Sequence, residues 1–192
     1  MACDKLERLQ SYWECRRSGR RLPGRRDIDP TDLPRHLSTM MLIDGLGSGE
    51  RYRFRLVGTL LSQVMRRDPT GRHLDEVLEP AELDGLDDLF GHAARHRVPV
   101  RRRGLLVWTA GWQVGVEWLI LPLATDGSIV DIILAWVEIP ALPVRLPPGR
   151  PQLMVSWPPP AAPRRPADAG GPLAPRRWLS LAEALNAAPA AP

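Results

Sequence analysis

The chain has 192 residues, 44% hydrophobic and 25% charged, enough for one domain with a full core and some extension. Its two cysteines, Cys3 and Cys15, form neither a disulfide framework nor a metal-ligand spacing, and no apolar run is long enough to span a bilayer. The opening MACDKLERL is charged and has no apolar signal region, so the sequence predicts a soluble cytoplasmic protein.

A pI of 9.8 invites a nucleic-acid reading. The charge is unevenly placed, however. From Pro140 onward six arginines face two acids, so this stretch supplies the whole net charge of +4 and the remaining 139 residues are formally neutral. Lys5 is the only lysine, and arginine is abundant together with alanine, proline and glycine. Such a compositional bias makes arginine content a weak sign of phosphate contact.

Residues 1–36 read as a charged N-terminal helical extension. Leu6, Leu9 and Trp13 lie at i, i+3 and i+7, one stripe of a short amphipathic helix ended by Gly19 and Pro23. An exposed apolar stripe marks a dimer or docking element, so these three residues are candidates for a partner surface. In DIDPTDLPRHL, Asp29 as N-cap and Pro30 at the first helical position predict one helical turn.

Residues 37–139 read as the globular core. STMMLIDGL (38–46) is an apolar strand. RYRFRLV (51–57) alternates with period two. That places Arg51, Arg53 and Arg55 on a wet face and turns Tyr52, Phe54 and Leu56 to the core. TLLSQVMRR (59–67) has a helical pattern, and the loop DPTG follows, with Gly71 free to take positive φ. Residues 81–96 are the longest helical candidate. VPVRRRGLLVW (98–108) is a strand, TAG a hairpin turn, and 112–124 and 128–139 are two more strands joined by T-D-G. Two strands, a helical insert and a three-strand meander make an α+β domain with one antiparallel sheet. On the meander, Trp118 shares parity with Val114, Val116 and Ile120, and Trp136 with Ile132 and Leu134. Both are expected in the core or a cleft wall. Glu117 falls on the face opposite Trp118, where an arginine could pair with it.

Residues 140–192 hold fourteen of the 21 prolines and should be a disordered Pro/Ala-rich basic tail. A short helix at 181–188 is the exception, because Ser180 and Glu183 form an S-x-x-E capping box. Trp178, Leu181 and Leu185 are its candidate docking anchors.

No enzyme signature emerges. The histidines are His36, His73, His92 and His96, with no E-x-x-H or H-E-x-x-H around them, and DPTGR lacks the phosphate-loop pattern. His92 and His96 share a helix at i and i+4. At about 100° per residue, Leu83, Leu86, Leu89, Phe90, Ala93 and Ala94 define an apolar arc that leaves His92 facing solvent and His96 at the boundary. No catalytic residue, metal site or bound cofactor is expected.

The core resembles a PAS domain, specifically a divergent bacterial subfamily of largely unknown function. The resemblance rests on YWECRRSGRRLPGRRDIDPTDLPRHL (12–37), RYRFRLVGT (51–59), DPTGRHLDEVL (68–78) and LILPLATDG…VDIILAWVE (119–138), and covers about residues 5–139. It departs at Arg66, where the family pattern has glycine, which bears on the local turn. The resemblance implies a five-stranded antiparallel sheet of order 2-1-5-4-3 with helices on one face. It implies a stand-alone sensory or regulatory protein acting through a protein partner or homodimer, with room for a small ligand in the cleft. RYRFRLV would then be one edge strand and VPVRRRGLLVW the other. Their arginines would lie a sheet-width apart, unable to form one basic patch. Charged edges discourage strand-on-strand aggregation, and arginine also suits a partner surface. Haem held through His96 is an alternative, since some PAS domains hold haem by a helix histidine. An anion or RNA binder is a further one. Light-sensing flavin chemistry needs a cysteine on a core helix, and Cys3 and Cys15 lie outside the core.

Overall fold

The computed structural model describes residues 5–45, 51–109, 111–140, 142 and 145–155. Cys3, Trp178, Leu181, Leu185 and the expected helix at 181–188 lie outside them. In chain order come α1 (Lys5–Arg16), short 3-10 turns at Arg25–Asp27, Pro30–Asp32 and Pro34–Thr39, and strands β1 (Met40–Asp44) and β2 (Arg53–Val57). Then follow α2 (Thr59–Val64), a 3-10 turn at Leu74–Glu76, α3 (Pro80–His96), β3 (Val100–Val107), β4 (Gln113–Leu123), β5 (Ile132–Glu138) and β6 (Gln152–Val155).

All strand pairings are antiparallel, in the order β2-β1-β5-β4-β3-β6. The first five repeat the order the resemblance implies. β6 is an addition. It lies in the stretch expected to be a disordered tail, so the boundary at 139 is not where folded structure ends. Its four residues pair with Gly104–Val107 of β3. A low apolar content argued against structure here. The strand forms nonetheless because a ladder to an existing edge is made by the main chain, whatever the side chains.

β4 and β5 are buried along nearly their whole length on both faces. One face, with Met41, Ile120, Trp118 and Val137, is covered by α2 and α3. The other, with Leu42, Leu121, Leu134 and Trp136, is covered by α1 and the N-terminal turns. Register pairs such as Leu42↔Leu134 and Leu121↔Leu134 keep each set on one side. Helices therefore lie on both faces once the N-terminal extension is counted.

That arrangement places Leu6, Leu9 and Trp13 inside the fold, each 1–2% exposed. The stripe is not an open partner surface, because the sheet's second face needs an apolar cover and this stripe supplies it. Trp13 Nε1 donates to the Pro122 carbonyl at 3.0 Å. The Asp29 cap is realised: its carboxylate accepts from the Thr31 N–H at 2.9 Å ahead of Pro30.

β2 departs from strict alternation. A bulge between Leu42 and Ile43 of β1 skips Arg55, so Leu56 is 40% exposed and Val57 takes the core position. Phe54 remains buried and Tyr52 half-buried. The outer edge of β2 is covered by the 71–74 loop, whose Gly71 N–H donates to the Phe54 carbonyl at 2.6 Å while Phe54 N–H donates to the Arg72 carbonyl at 2.9 Å. Gly71 has φ +84°, the conformation that glycine takes without strain.

Trp13→Ala tests whether α1 belongs to this cooperative unit. It should lower unfolding free energy in denaturant by about 3–5 kcal/mol, the range for emptying a buried tryptophan site. A change under about 1 kcal/mol would mean that α1 docks only loosely.

Candidate functional site

Between the sheet and the two helices packed on it lies an apolar cavity of about 60 Å³. Its walls include Met41 and Phe54 from the sheet's first strands, Leu61 and Val64 from α2, Leu86 from α3, and Trp118 from β4. Each is placed by a period already visible in the sequence: two along the strands, 3.6 along the helices. Arg150 and Pro151, leading into β6, and Leu153 within it line the remaining side.

The one charged wall residue on α3 is Glu82, 3% exposed. Glu82 stands at the third position of the helix and its carboxylate accepts from the Glu79 N–H at 2.8 Å, a capping-box contact. It also receives the Arg150 guanidinium at 2.7 and 3.3 Å and the Leu153 N–H at 2.6 Å. A carboxylate taken from water needs such a donor set, because burying it unpaired costs several kcal/mol. Sequence reasoning missed Glu82. Pro80 followed by Glu82 is a legible cap signal, but Arg150 is distant in the chain and sits in a proline-rich stretch.

Arg51, Arg53 and Arg55 do not form a basic patch. Arg51 makes a two-point contact with Asp75 at 2.7 and 2.5 Å, and Arg53 and Arg55 reach the two oxygens of Asp44 at 3.1 and 3.3 Å. The Arg51 hydrogen bond holds the Asp75 carboxyl below the usual aspartate range. The side chains stay 52–56% exposed, so these pairs tune charge more than stability. Across the sheet, Glu117 accepts from Arg101 and Arg103, each at 2.7 Å. The pairing expected for Glu117 is thus made within the sheet. Glu138, opposite Glu117 on β5, is matched by Lys5 at 2.8 Å. Phosphate backbones would have to displace these internal carboxylates.

His96, the candidate haem ligand, is exposed at the last position of α3 and does not line the cavity. His92 is half-buried beside it, ring centroids 4.4 Å apart. This reverses the expected exposures, because His96 stands at the helix end, past most of the packed length. Cys15 is exposed on α1. Among the described residues no group of three histidine, cysteine or acidic side chains could hold a metal ion. The residues present do not fit haem or flavin. Pockets for such groups run from about 300 to 1,000 Å³, several times this cavity, and no histidine or cysteine is among its walls. Trp118 is a cavity wall as its parity implies, and Trp136 packs on the other face, edge-on to His36 at 4.9 Å.

A family model described as PAS domain matches residues 1–136. The chain belongs to the PAS domain family. Its β6 strand lies beyond the matched residues. No curated protein matches the chain. Among solved structures, the light-state LOV domain of the blue-light photoreceptor Aureochrome1 aligns at 10% identity with a TM-score of 0.42, covering 58% of this chain and 88% of that one. A fungal LOV domain photoreceptor aligns at 17% identity with a TM-score of 0.38, covering 53% and 73%. Likeness at this level says nothing about what the PAS cavity binds. Among the described residues, no helix is long and apolar enough to cross a membrane.

Burial pushes the Glu117 carboxyl up, but hydrogen bonds and charge from Arg101 and Arg103 outweigh it and hold the group below the ordinary glutamate value. A lowered folded-state value means that the stabilisation is present above the unfolded value of about 4.3 and is lost as pH falls through the folded one. Glu117→Gln should therefore be less stable than wild type at pH 7, with the difference closing as pH drops below about 4. Thermal unfolding across pH checks this. A gap that stays constant down to pH 3 would show that the ion pairs are not its source.

Proposed function

We propose that this PAS protein is a sensory or regulatory module that takes a small apolar molecule in the cavity between sheet and helices and reports through contact with a protein partner or a second copy. The observation that carries the reading is the partly open, almost wholly apolar cavity between sheet and helices. Its only charged walls, Glu82 and Arg150, already satisfy each other. An uncharged ligand loses nothing by entering such a space, and a charged one would be left unpaired.

No catalytic group is part of this reading. The partner surface expected from Leu6, Leu9 and Trp13 is withdrawn, since those residues cover the sheet. Among the described residues, the exposed row of Arg51, Arg53 and Arg55 is the remaining candidate. Paired arginines that stay half in water can exchange an internal acid for an acidic group on another protein.

The 192-residue protein isolated from its native source and then denatured should release an apolar small molecule at near one-to-one ratio, read by mass spectrometry. Leu86→Phe, which grows into the cavity, should lose it. Recovery of no such molecule, or equal recovery from the filled variant, removes the ligand reading. For the partner half, Arg53→Glu with Arg55→Glu should weaken association at least tenfold in sedimentation or capture experiments. Stability should change by about 1 kcal/mol or less, as for exposed ion pairs. Unchanged association would exclude this surface.

A further inference from the structure

Residues 145–155 run across the open side of the cavity and are fastened at two points. At the first, Arg66 Nη2 donates to the Leu146 and Pro147 carbonyls at 3.0 and 2.6 Å. At the second, Glu82 takes the Arg150 guanidinium and the Leu153 N–H. Among the described side chains of the segment, Pro147 and Pro151 are buried, Leu146 and Leu153 are half-buried, and Met154 is 58% exposed. The segment thus adheres through the polar clasps, a four-residue ladder to β3, and an apolar contact made by Leu146, Pro147, Pro151 and Leu153.

Arg66 holds its clasp from a left-handed backbone, φ +59°, a conformation in which a non-glycine residue is strained. Gly104 of β3 shows how close the segment lies: a Cβ there would sit 2.7 Å from the Met154 carbonyl oxygen. Removing the segment would leave the five strands β2-β1-β5-β4-β3 intact, and it lies beyond the residues that match the family.

Glu82 makes the arrangement two-state. With the segment in place its carboxylate is buried and fully supplied with donors; with the segment gone it meets water. A half-open state that leaves it buried with only the Glu79 N–H as donor is the unfavourable one. Ligand entry also requires movement, because a cavity of about 60 Å³ is room for only a few non-hydrogen atoms.

We propose that residues 145–155 are a lid on the cavity, latched by Arg66 and Glu82, which an uncharged apolar ligand displaces, freeing the β3 edge for a partner strand. The proposal rests on the reading of the cavity as a ligand site. It adds how that site is closed and what its filling exposes. The released edge offers the N–H and C=O groups of alternate residues along Gly104–Val107, the others staying bonded to β4, and this is the form of surface that accepts an extended peptide by strand addition.

Hydrogen–deuterium exchange and Nile red binding on the 192-residue protein test this with three variants. Arg66→Gly removes one clasp while relieving the strained backbone, so the fold is retained. Glu82→Gln weakens the other while keeping an acceptor for Leu153. Gly104→Ala presses β6 outward from the ladder side, leaving the Arg66 and Glu82 side chains as they are. In each, amides of 152–155 and those amides of 104–107 that face β6 should exchange at least tenfold faster than in wild type, with β4 and β5 unchanged, and Nile red should bind at least fivefold more tightly. If β4 and β5 lose protection together with β6, the segment is part of the global fold and the lid is refuted. Faster exchange at β6 with unchanged Nile red affinity refutes it as well. If the variants behave as expected but the native protein releases no apolar molecule, the lid stands and the ligand reading of the previous section falls. If a molecule is released while the variants leave β6 protected, the reverse holds.

Discussion

A sheet whose central strands are apolar on both faces has to be covered twice. β4 and β5 impose that condition here, and the rest of the molecule answers it. α2 and α3 meet one face. The other is met by α1 and the N-terminal turns, with the Trp13 indole N–H fixed on the Pro122 carbonyl. The two coverings differ in completeness. The α1 side packs Leu6, Leu9 and Trp13 against the sheet, whereas the side of α2 and α3 leaves a gap that a late segment of the chain must close.

The charges follow from the same geometry. Strand positions that point away from the covered areas carry arginine, and each such row is met by acids from neighbouring strands or loops: Asp44, Asp75, and Glu117. The basic character of the whole sequence therefore overstates the basic character of its folded face. Glu82 is the exception to solvent-facing charge. It joins a helix start to the closing segment, so the cap of α3 and the closure of the cavity are one polar contact.

What the sequence revealed and what it hid divide along physical lines. Local rules were legible: the Asp29–Pro30 cap, the positive φ at Gly71, and the parity that puts Trp118 and Trp136 in the core or a cleft wall. The strand order and family were legible through motifs spread over the core. Long-range matters were not. An amphipathic stripe shows that α1 has an apolar face but not what meets it, so Leu6, Leu9 and Trp13 read equally as an open surface. The bulge that skips Arg55 shifts Leu56 outward and has no single-residue signature. β6 hides in proline-rich sequence because ladder pairing depends on an edge elsewhere, and Arg150 acquires meaning only beside Glu82. The tail anchors Trp178, Leu181 and Leu185 lie outside the described residues.

Lys5 carries a further consequence. Its ammonium sits beside Glu138, which stands directly across from Glu117 in the β4–β5 ladder. Glu117 is already engaged by Arg101 and Arg103, so Lys5 is what offsets the second of two adjacent carboxylates. Like charges placed opposite one another destabilise a strand pair. Because the chain has no other lysine, and this one is largely open to solvent, acylation of side-chain amines on the folded protein falls on one atom. Acetylation there would leave the Glu138 carboxylate unmatched, facing Glu117 across the ladder at the seam where the first helix meets the sheet.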